Sequence, residues 1–570
     1  MKIELTKNET DTLCAENNNK NEIESFDDIL EIVGSDGSFQ HRFNWLFNFA
    51  YAMILSMTFM NVIIALAIPE HWCYIPGREN TNYTVAEWRE KTIPKEMDNL
   101  GQISFSKCKA YSLTDDNVTQ SCNNGWEFDK TWYESTIVTD NDWVCDKEVY
   151  VTHSLVYSRV GEFIGTIVLG SLGDSIGRRP VFIVTVVTMT ITRIVMLFTT
   201  YSYVVFMIVS ILSSATLNSG FQSPLTISME IISVKMRATL ISIQYLGWTI
   251  GICILPLIMW VVRRWDYFFL ITTLPGLLIF IFYKYLIESP RWLVSRGEME
   301  KAYVQLKVIA KYNKRPLPDD FMDKLNCLKN KGESNYGLSS LISSWRLFKN
   351  TLVLCICWSA TLMCYQIFIY NVTSLAGNPF LNFLFQALIE LPSNLVGKLT
   401  CNYCGRRFVS LIAFMLSVAF CVILLISYNW KISMLTIGLI LVVKFCLSCG
   451  VYVLNLQSLE VFPTCARQSG TSASFFCAVA VSSFSPYITY LGTQYDARIP
   501  YVGVLILALI AALSGSFLPE TVDVQLPETL EDARVFGKDQ LYWDFLNRKN
   551  SKYQKAKTTD ECTAVKDVKV

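Results

Sequence analysis

Histidine is scarce in this chain. Its three copies among 570 residues, His41, His71 and His153, stand near no Ser, Cys or Asp at a spacing that would build a nucleophile or a metal site, so the chain does not read as an enzyme and calls for no cofactor. There is no Gly-x4-Gly-Lys-Ser/Thr run, and with it no phosphate cradle for ATP. Net charge is missing too: Lys+Arg 49 balance Asp+Glu 49, without the basic excess that marks a nucleic-acid partner. Charged residues make up only 17%, against about 25% in an ordinary soluble domain. What fills the gap is apolar, at 52% of residues, and it comes in blocks longer than water tolerates. That excludes a disordered, fibrous or small disulfide-scaffold protein and leaves a membrane one.

A hydrocarbon slab about 30 Å thick takes about 20 apolar residues per helix. Twelve blocks of that length fit, at 45–68, 149–171, 181–200, 203–227, 239–262, 267–287, 350–371, 379–399, 408–427, 432–455, 470–491 and 500–518. The expected fold is all-α with twelve transmembrane helices. It divides into a tail (1–44), a six-helix half (45–287), a linker (288–349), a second six-helix half (350–518) and a tail (519–570). Lys and Arg gather in alternate short loops: Arg178 with Arg179, Lys235 with Arg237, Arg291 with Arg296, Arg406 with Arg407, and Arg467. The positive-inside rule makes those loops cytoplasmic, and an even span count puts both tails there. Arg263 and Arg264 are the exception. The first 44 residues lack a basic start before a short apolar core, so no cleaved signal peptide is read.

Residues 69–148 then lie outside. They hold Cys73, Cys108, Cys122 and Cys145, which in an oxidising space form two disulfides with three pairings open, and glycosylation sequons at Asn82 and Asn117.

The chain also repeats itself. Gly177-Arg178-Arg179 recurs as Gly405-Arg406-Arg407 at an offset of 228, and Glu230 with Arg237 recurs as Glu460 with Arg467 at 230. Glu288-Ser-Pro recurs loosely as Pro519-Glu520-Thr521 at 232. Three charged motifs in one register mean two six-span halves in the same orientation, the major facilitator architecture, with a cavity between the halves and rocking of one against the other. Asp174, Arg178, Arg179, Glu230, Arg237, Arg406, Arg407, Glu460 and Arg467 are read as an ionic latch at the inner surface, breakable in one of two states. Topology needs only the Lys and Arg, which leaves the acids and their spacing to the latch.

At these residues the chain resembles the organic cation, organic anion and carnitine transporters of animal plasma membranes, from about residue 40 to 530. The marks are the large Cys-bearing loop, Gly170-Ser-Leu-Gly-Asp-Ser-Ile-Gly-Arg-Arg-Pro180, Glu288-Ser-Pro-Arg-Trp-Leu293, Ala387-Leu-Ile-Glu-Leu-Pro392, Cys404-Gly-Arg-Arg407, Glu460-Val-Phe-Pro-Thr464 and Leu518-Pro-Glu-Thr521. It departs in two places: four loop cysteines where the family commonly has six, and Phe462 where Tyr is usual. The resemblance implies a substrate site lined by Phe221, Trp358, Tyr365, Gln366 and Tyr452, whose aromatic faces suit a protonated or quaternary amine. Nineteen residues after Glu460, where cation transporters of the family place Asp and anion and carnitine transporters Arg, this chain has Val479, so substrate charge is not carried over from there.

Glu162 takes up the question. It stands twelve residues before Asp174, about 18 Å along the helix, where a carboxylate faces a cavity or a partner. Arg159, three residues earlier, offers simple neutralisation, and Arg193 and Lys444 are further stray cations. The expectation is a plasma-membrane carrier of small organic cations or zwitterions, with Glu162 holding the cationic end. An organic anion transporter of the same fold is the alternative, and a non-transporting receptor-like protein the remoter one. Membrane lipid and a small organic ion are the expected partners, with Val568-Lys569-Val570 as a candidate PDZ ligand.

Overall fold

In the computed structural model the described residues are 26–540, without 79–80, 98–102, 113–117, 234–235, 328–337, 376, 431, 464–465, 523–526, 528–529 and 539. The side chains of Asp174 and Arg237, the sequon residue Asn117 and the C-terminal Val568–Val570 lie outside that description. Inside a bilayer every backbone N–H and C=O needs a partner within the chain, so long apolar blocks become helices. The N-terminal bundle is α1 (Ser38–Ala65), α2 (Val149–Ile176), α3 (Arg178–Thr199), α4 (Tyr203–Ile231), α5 (Arg237–Val262) and α6 (Trp265–Tyr285). The C-terminal bundle is α7 (Trp345–Tyr370), α8 (Pro379–Leu388 and Glu390–Cys404), α9 (Arg406–Ser427), α10 (Ser433–Val461), α11 (Arg467–Ser482 and Ser485–Gln494) and α12 (Ile499–Gly515). Among the described residues ten helices are long and apolar enough to cross a membrane, with Ile499–Gly515 a shorter apolar one. The bundles meet through α5 against α8 and α2 against α11.

Two stretches that read as polar connections are folded. Phe26–Val33 and Met299–Tyr312 are helices whose apolar residues, Ile29, Leu30 and Val33 with Ala302, Leu306 and Ile309, share one buried cluster. Asn313 fastens them: its amide nitrogen donates to the carbonyls of Val33 at 3.3 Å and Gly34 at 2.9 Å, and its oxygen accepts from the Phe39 N–H at 3.0 Å. The first long helix therefore begins at Ser38, seven residues before the apolar block that announces it.

Between α1 and α2 lies a cap of three antiparallel ribbons: β1 (His71–Cys73) with β6 (Trp126–Phe128), β2 (Lys95–Met97) with β3 (Ile103–Phe105), and β4 (Lys109–Tyr111) with β5 (Thr119–Ser121). Short ribbons with little core need staples, and here Cys73 is bonded to Cys122 and Cys108 to Cys145. Asn82 is exposed, and the Thr84 of its sequon caps the helix Val85–Thr92. The two arginines that break the charge rule stand where the cap meets α6: Arg263 donates to the carbonyls of Lys130 and Thr131, and the Arg264 backbone bridges to Ser135 while its side chain pairs with Asp266 at 2.9 Å. Across the gap between the bundles, Trp132, Tyr133 and Trp260 surround Phe380 at the start of α8.

Candidate functional site

Four charges are buried where the bundles face each other, in two pairs. Arg159 and Glu162 stand one turn apart on α2, on the same face, and the Arg159 Nη1 donates to Glu162 Oε2 at 2.7 Å. The rest of the guanidinium crosses to the other bundle: Nε donates to the Tyr370 hydroxyl at 2.7 Å and Nη2 to Gln366 Oε1 at 2.6 Å. Both side chains are nearly shut from solvent, at 4% and 6% exposure. The second pair belongs wholly to the C-terminal bundle, Lys444 of α10 with Glu390 of α8 at 3.1 Å, exposed by 4% and 9%. Taking ions out of water is tolerated only when each finds an opposite charge and further hydrogen bonds, and α7 supplies the links. Its Tyr365 ring lies 5.2 Å from Lys444 Nζ, and its Gln366 and Tyr370 meet Arg159.

Aromatic faces close the site from the N-terminal bundle. Phe221 meets Trp248 edge-on at 5.4 Å and Tyr245 at 6.1 Å, and Phe59 lies 6.4 Å from Trp248 and 5.0 Å from the Arg159 guanidinium. At the seam, Phe163 of α2 stacks on Phe476 of α11 at 4.4 Å. Glu162, Phe221, Tyr365 and Gln366 thus come together as the sequence suggests. Trp358 and Tyr452 do not join them. Trp358 packs edge-on against Phe475 at 6.3 Å, two turns inward on α7, and Tyr452 packs beside Cys401, Cys449 and Val453. Sequence reasoning missed Glu390 and Lys444 as partners, and Tyr370, Trp248 and Phe59; the available signal was charge within apolar blocks, which flagged Lys444 without its mate.

Arg193 stays apart from both pairs. It is 2% exposed on α3, its Nη1 lies 3.4 Å from Met196 Sδ, and among the described residues no carboxylate lies within ion-pair distance of it.

The ends of the bundles away from the cap, called inner below, carry the repeated motif, and its halves match in chemistry. Gly177 and Gly405 sit at φ of 106° and 95°, where a side chain is strained; a Cβ on either would fall 2.3 Å from a Glu288 oxygen or 2.7 Å from a Glu520 oxygen. The reason is that each glutamate caps the helix after the glycine. Glu288 accepts the backbone N–H groups of Arg178 at 3.0 Å and Arg179 at 3.2 Å, and Glu520 those of Arg406 at 2.9 Å and Arg407 at 3.0 Å. The side chains then reach the fourth or tenth helix: Arg178 pairs with Glu230 at 3.7 Å and Arg406 with Glu460 at 3.2 Å, with the Thr521 hydroxyl also donating to Glu460. Each of these ion pairs lies inside one bundle, joining two of its helices, and the capping glutamate ties in the segment after the bundle's last helix. Arg179 lies over the Tyr283 ring at 4.6 Å, and Arg467 is half-buried at the start of α11. Glu288 and Glu520 are the residues that reading for a latch left out, because a carboxylate capping a helix 110 residues earlier leaves no local pattern.

Known proteins resemble this chain along most of its length. The family described as "Sugar (and other) transporter" matches residues 102–532. The organic cation/carnitine transporter 2 of Homo sapiens is 26% identical over 90% of this chain and 94% of its own length. The carcinine transporter of Drosophila melanogaster is 28% identical over 91% of this chain and 80% of its own. Among solved structures, the proton:xylose symporter XylE of the major facilitator superfamily, from E. coli, aligns with a TM-score of 0.56 at 16% identity, over 87% of this chain and 99% of that one, which speaks to the fold. With the family profile spanning most of the chain, this protein belongs to the sugar (and other) transporter family.

Proposed function

We propose that this protein carries small organic cations or zwitterions across the plasma membrane by alternating access, with both termini cytoplasmic and twelve transmembrane helices. The organic cation/carnitine and carcinine transporters among its relatives support the substrate class. The observation that carries the reading is the pair of buried ion pairs facing each other across α7, Arg159–Glu162 and Lys444–Glu390. Two cations and two carboxylates leave the seat without net charge, so a lone organic anion gains nothing there that a cation does not. A zwitterion gains most: its ammonium meets a carboxylate and the faces of Phe221, Trp248 and Tyr365, while its carboxylate meets the Arg159 fork. Entry of such a substrate exchanges internal partners for substrate partners, and the Arg159 bonds to Gln366 and Tyr370 are the ones that join the bundles. Breaking and remaking them couples occupancy to rocking. The inner staples keep each bundle rigid as it turns, and the disulfide-bonded cap with its exposed sequon at Asn82 fits an extracellular face.

The test is uptake of radiolabelled carnitine and of a quaternary amine in cells expressing the chain, with saturation and trans-stimulation. Saturable uptake accelerated by substrate on the far side is the expected result. Uptake of organic anions in preference to both probes would overturn the substrate class.

A further inference from the structure

A cavity of about 210 Å³ opens at one end of the C-terminal bundle, where α7 and α9 begin and α12 ends. Four cations line it: Arg346 and Lys349 from the first turns of α7, Arg407 from the first turn of α9, and Lys538 from the segment after the helix Leu530–Val535. Asn350 and Gln540 add two amides to the wall. The backbone end of α9 is not free to serve as the binding group, since the N–H groups of Arg406 and Arg407 go to Glu520. What the cavity offers is side-chain charge. Arg407 is 3% exposed and anchored by its Nε to the Ser516 carbonyl at 2.7 Å, and Arg346 is anchored to the Phe536 carbonyl at 3.1 Å. Both guanidiniums are thereby held in place, and the Arg346 fork keeps further N–H groups for another acceptor. Among the described residues no carboxylate lies within ion-pair distance of Arg346, Lys349 or Lys538. Glu520, the acid beside the cavity, spends its oxygens on the N–H groups of Arg406, Arg407 and Thr521.

Like charges gathered into one concave site repel one another and raise the local potential for an anion. Guanidinium forks and a lysine point charge are the groups that take up phosphate oxygens, and a basic pocket between helix ends at a membrane edge is where an anionic head group arrives. We propose that this cavity binds a phosphomonoester anion, supplied by the head group of a phosphorylated inositol lipid or by a phosphate-bearing solute. Its presence on the cytoplasmic side rests on the orientation proposed above. The consequence is mechanical. The anion ties the inner end of α7 to α9 and to residues 536–540, and α7 is the helix whose other end carries Tyr365, Gln366 and Tyr370. Occupancy therefore alters the maximal transport rate and leaves the apparent substrate affinity unchanged.

The experiment uses the full-length protein purified in detergent and titrated separately with inositol 1,4,5-trisphosphate and inorganic phosphate. The same protein is reconstituted in phosphatidylcholine vesicles with and without phosphatidylinositol 4,5-bisphosphate. Lys349→Gln is expected to weaken anion binding about tenfold, the size of one lost charge-assisted hydrogen bond, with Lys349→Arg restoring it. Anion binding in detergent with no rate change on adding the inositol lipid to the vesicles assigns the site to a phosphate-bearing solute; a rate change with the inositol lipid assigns it to the head group, which trisphosphate binding in detergent should then reproduce. No binding by either soluble probe together with no lipid effect overturns the proposal. So does an affinity that neither Lys349→Gln nor Lys538→Gln moves. Uptake in the phosphatidylcholine vesicles reads out the transport function separately, so failure of the one is not mistaken for failure of the other.

Discussion

The two bundles use the same inner staple and different centres. At the inner end Gly177, Arg178, Glu230 and Glu288 do in one half what Gly405, Arg406, Glu460 and Glu520 do in the other, down to the capping of two consecutive N–H groups. In the middle the correspondence stops. The N-terminal half presents a guanidinium that reaches out of its own bundle to Tyr370 and Gln366, whereas the C-terminal half keeps Lys444 on its own Glu390. The second arginines also part company, Arg179 lying over the Tyr283 ring while Arg407 turns to the Ser516 carbonyl and lines the basic cavity. The lesson is a division of labour: rigidity is what a duplicated bundle must retain in both copies, and recognition is what it is free to differentiate.

The sharpest way to break that contrast is at the centre. Glu162→Gln leaves Arg159 buried without its counter-charge, a loss of about 3–5 kcal/mol for a desolvated pair, so uptake by protein at the cell surface should fall at least about a hundredfold. Arg159→Ala should match it, and normal cation uptake by either variant would remove the pair from the seat. Glu390→Gln tests the other centre, with a smaller expected loss because Lys444 makes no bond across the bundles.

Next in size is the cap, which only the N-terminal half carries. Replacing Cys73 or Cys108 with Ser removes a disulfide of a small ribbon fold, about 2–5 kcal/mol, and should lower surface expression by biotinylation. Labelling of all four cap cysteines by an impermeant maleimide on unreduced cells would contradict the bonded state.

The staples come third. Glu288→Gln and Glu520→Gln each weaken the charge-assisted bonds to two consecutive N–H groups of a neighbouring helix, together about 1.5–3 kcal/mol, and should lower the melting temperature and maximal rate by similar amounts with KM unchanged. A defect in one alone would show that the halves are not mechanically equivalent.

The smallest effect concerns pH at the cap, which the proposed orientation places outside the cell. Burial pushes the His71 imidazole below its ordinary value, against a smaller upward pull from the Pro69 carbonyl that its Nδ1 meets at 3.0 Å. The cap therefore holds the neutral ring. Its contribution is complete above the unfolded value of about 6.5 and is lost as pH falls below it, because the unfolded chain takes up the proton more readily. Acidifying the medium to pH 5 should speed proteolysis of the cap, and His71→Phe should flatten that dependence.

Much of this fold was legible in the chain, for a physical reason: block length, loop charge and a repeat in register are each local or translational signals. Gly405-Arg406-Arg407 announces its twin by spacing alone. The centre was half legible. Glu162 and Arg159 are visible as a helical neighbour pair, but Glu390 and Lys444 are 54 residues apart and become partners only when α8 packs on α10. The disulfide pairing is closed to sequence for the same reason, as is the role of Glu288, whose partners lie on another helix.

The cap has one more consequence. Its disulfides tie it to Cys73 just beyond α1 and to Cys145 just before α2, so it travels with the N-terminal half as a rigid awning. Phe380, which sits beneath it among Trp132, Tyr133 and Trp260, belongs to the opposite half. Any movement that parts the bundles at this rim has to draw that ring out of its aromatic surround, and the ease of withdrawing one phenylalanine sets how readily the outer door comes unlatched.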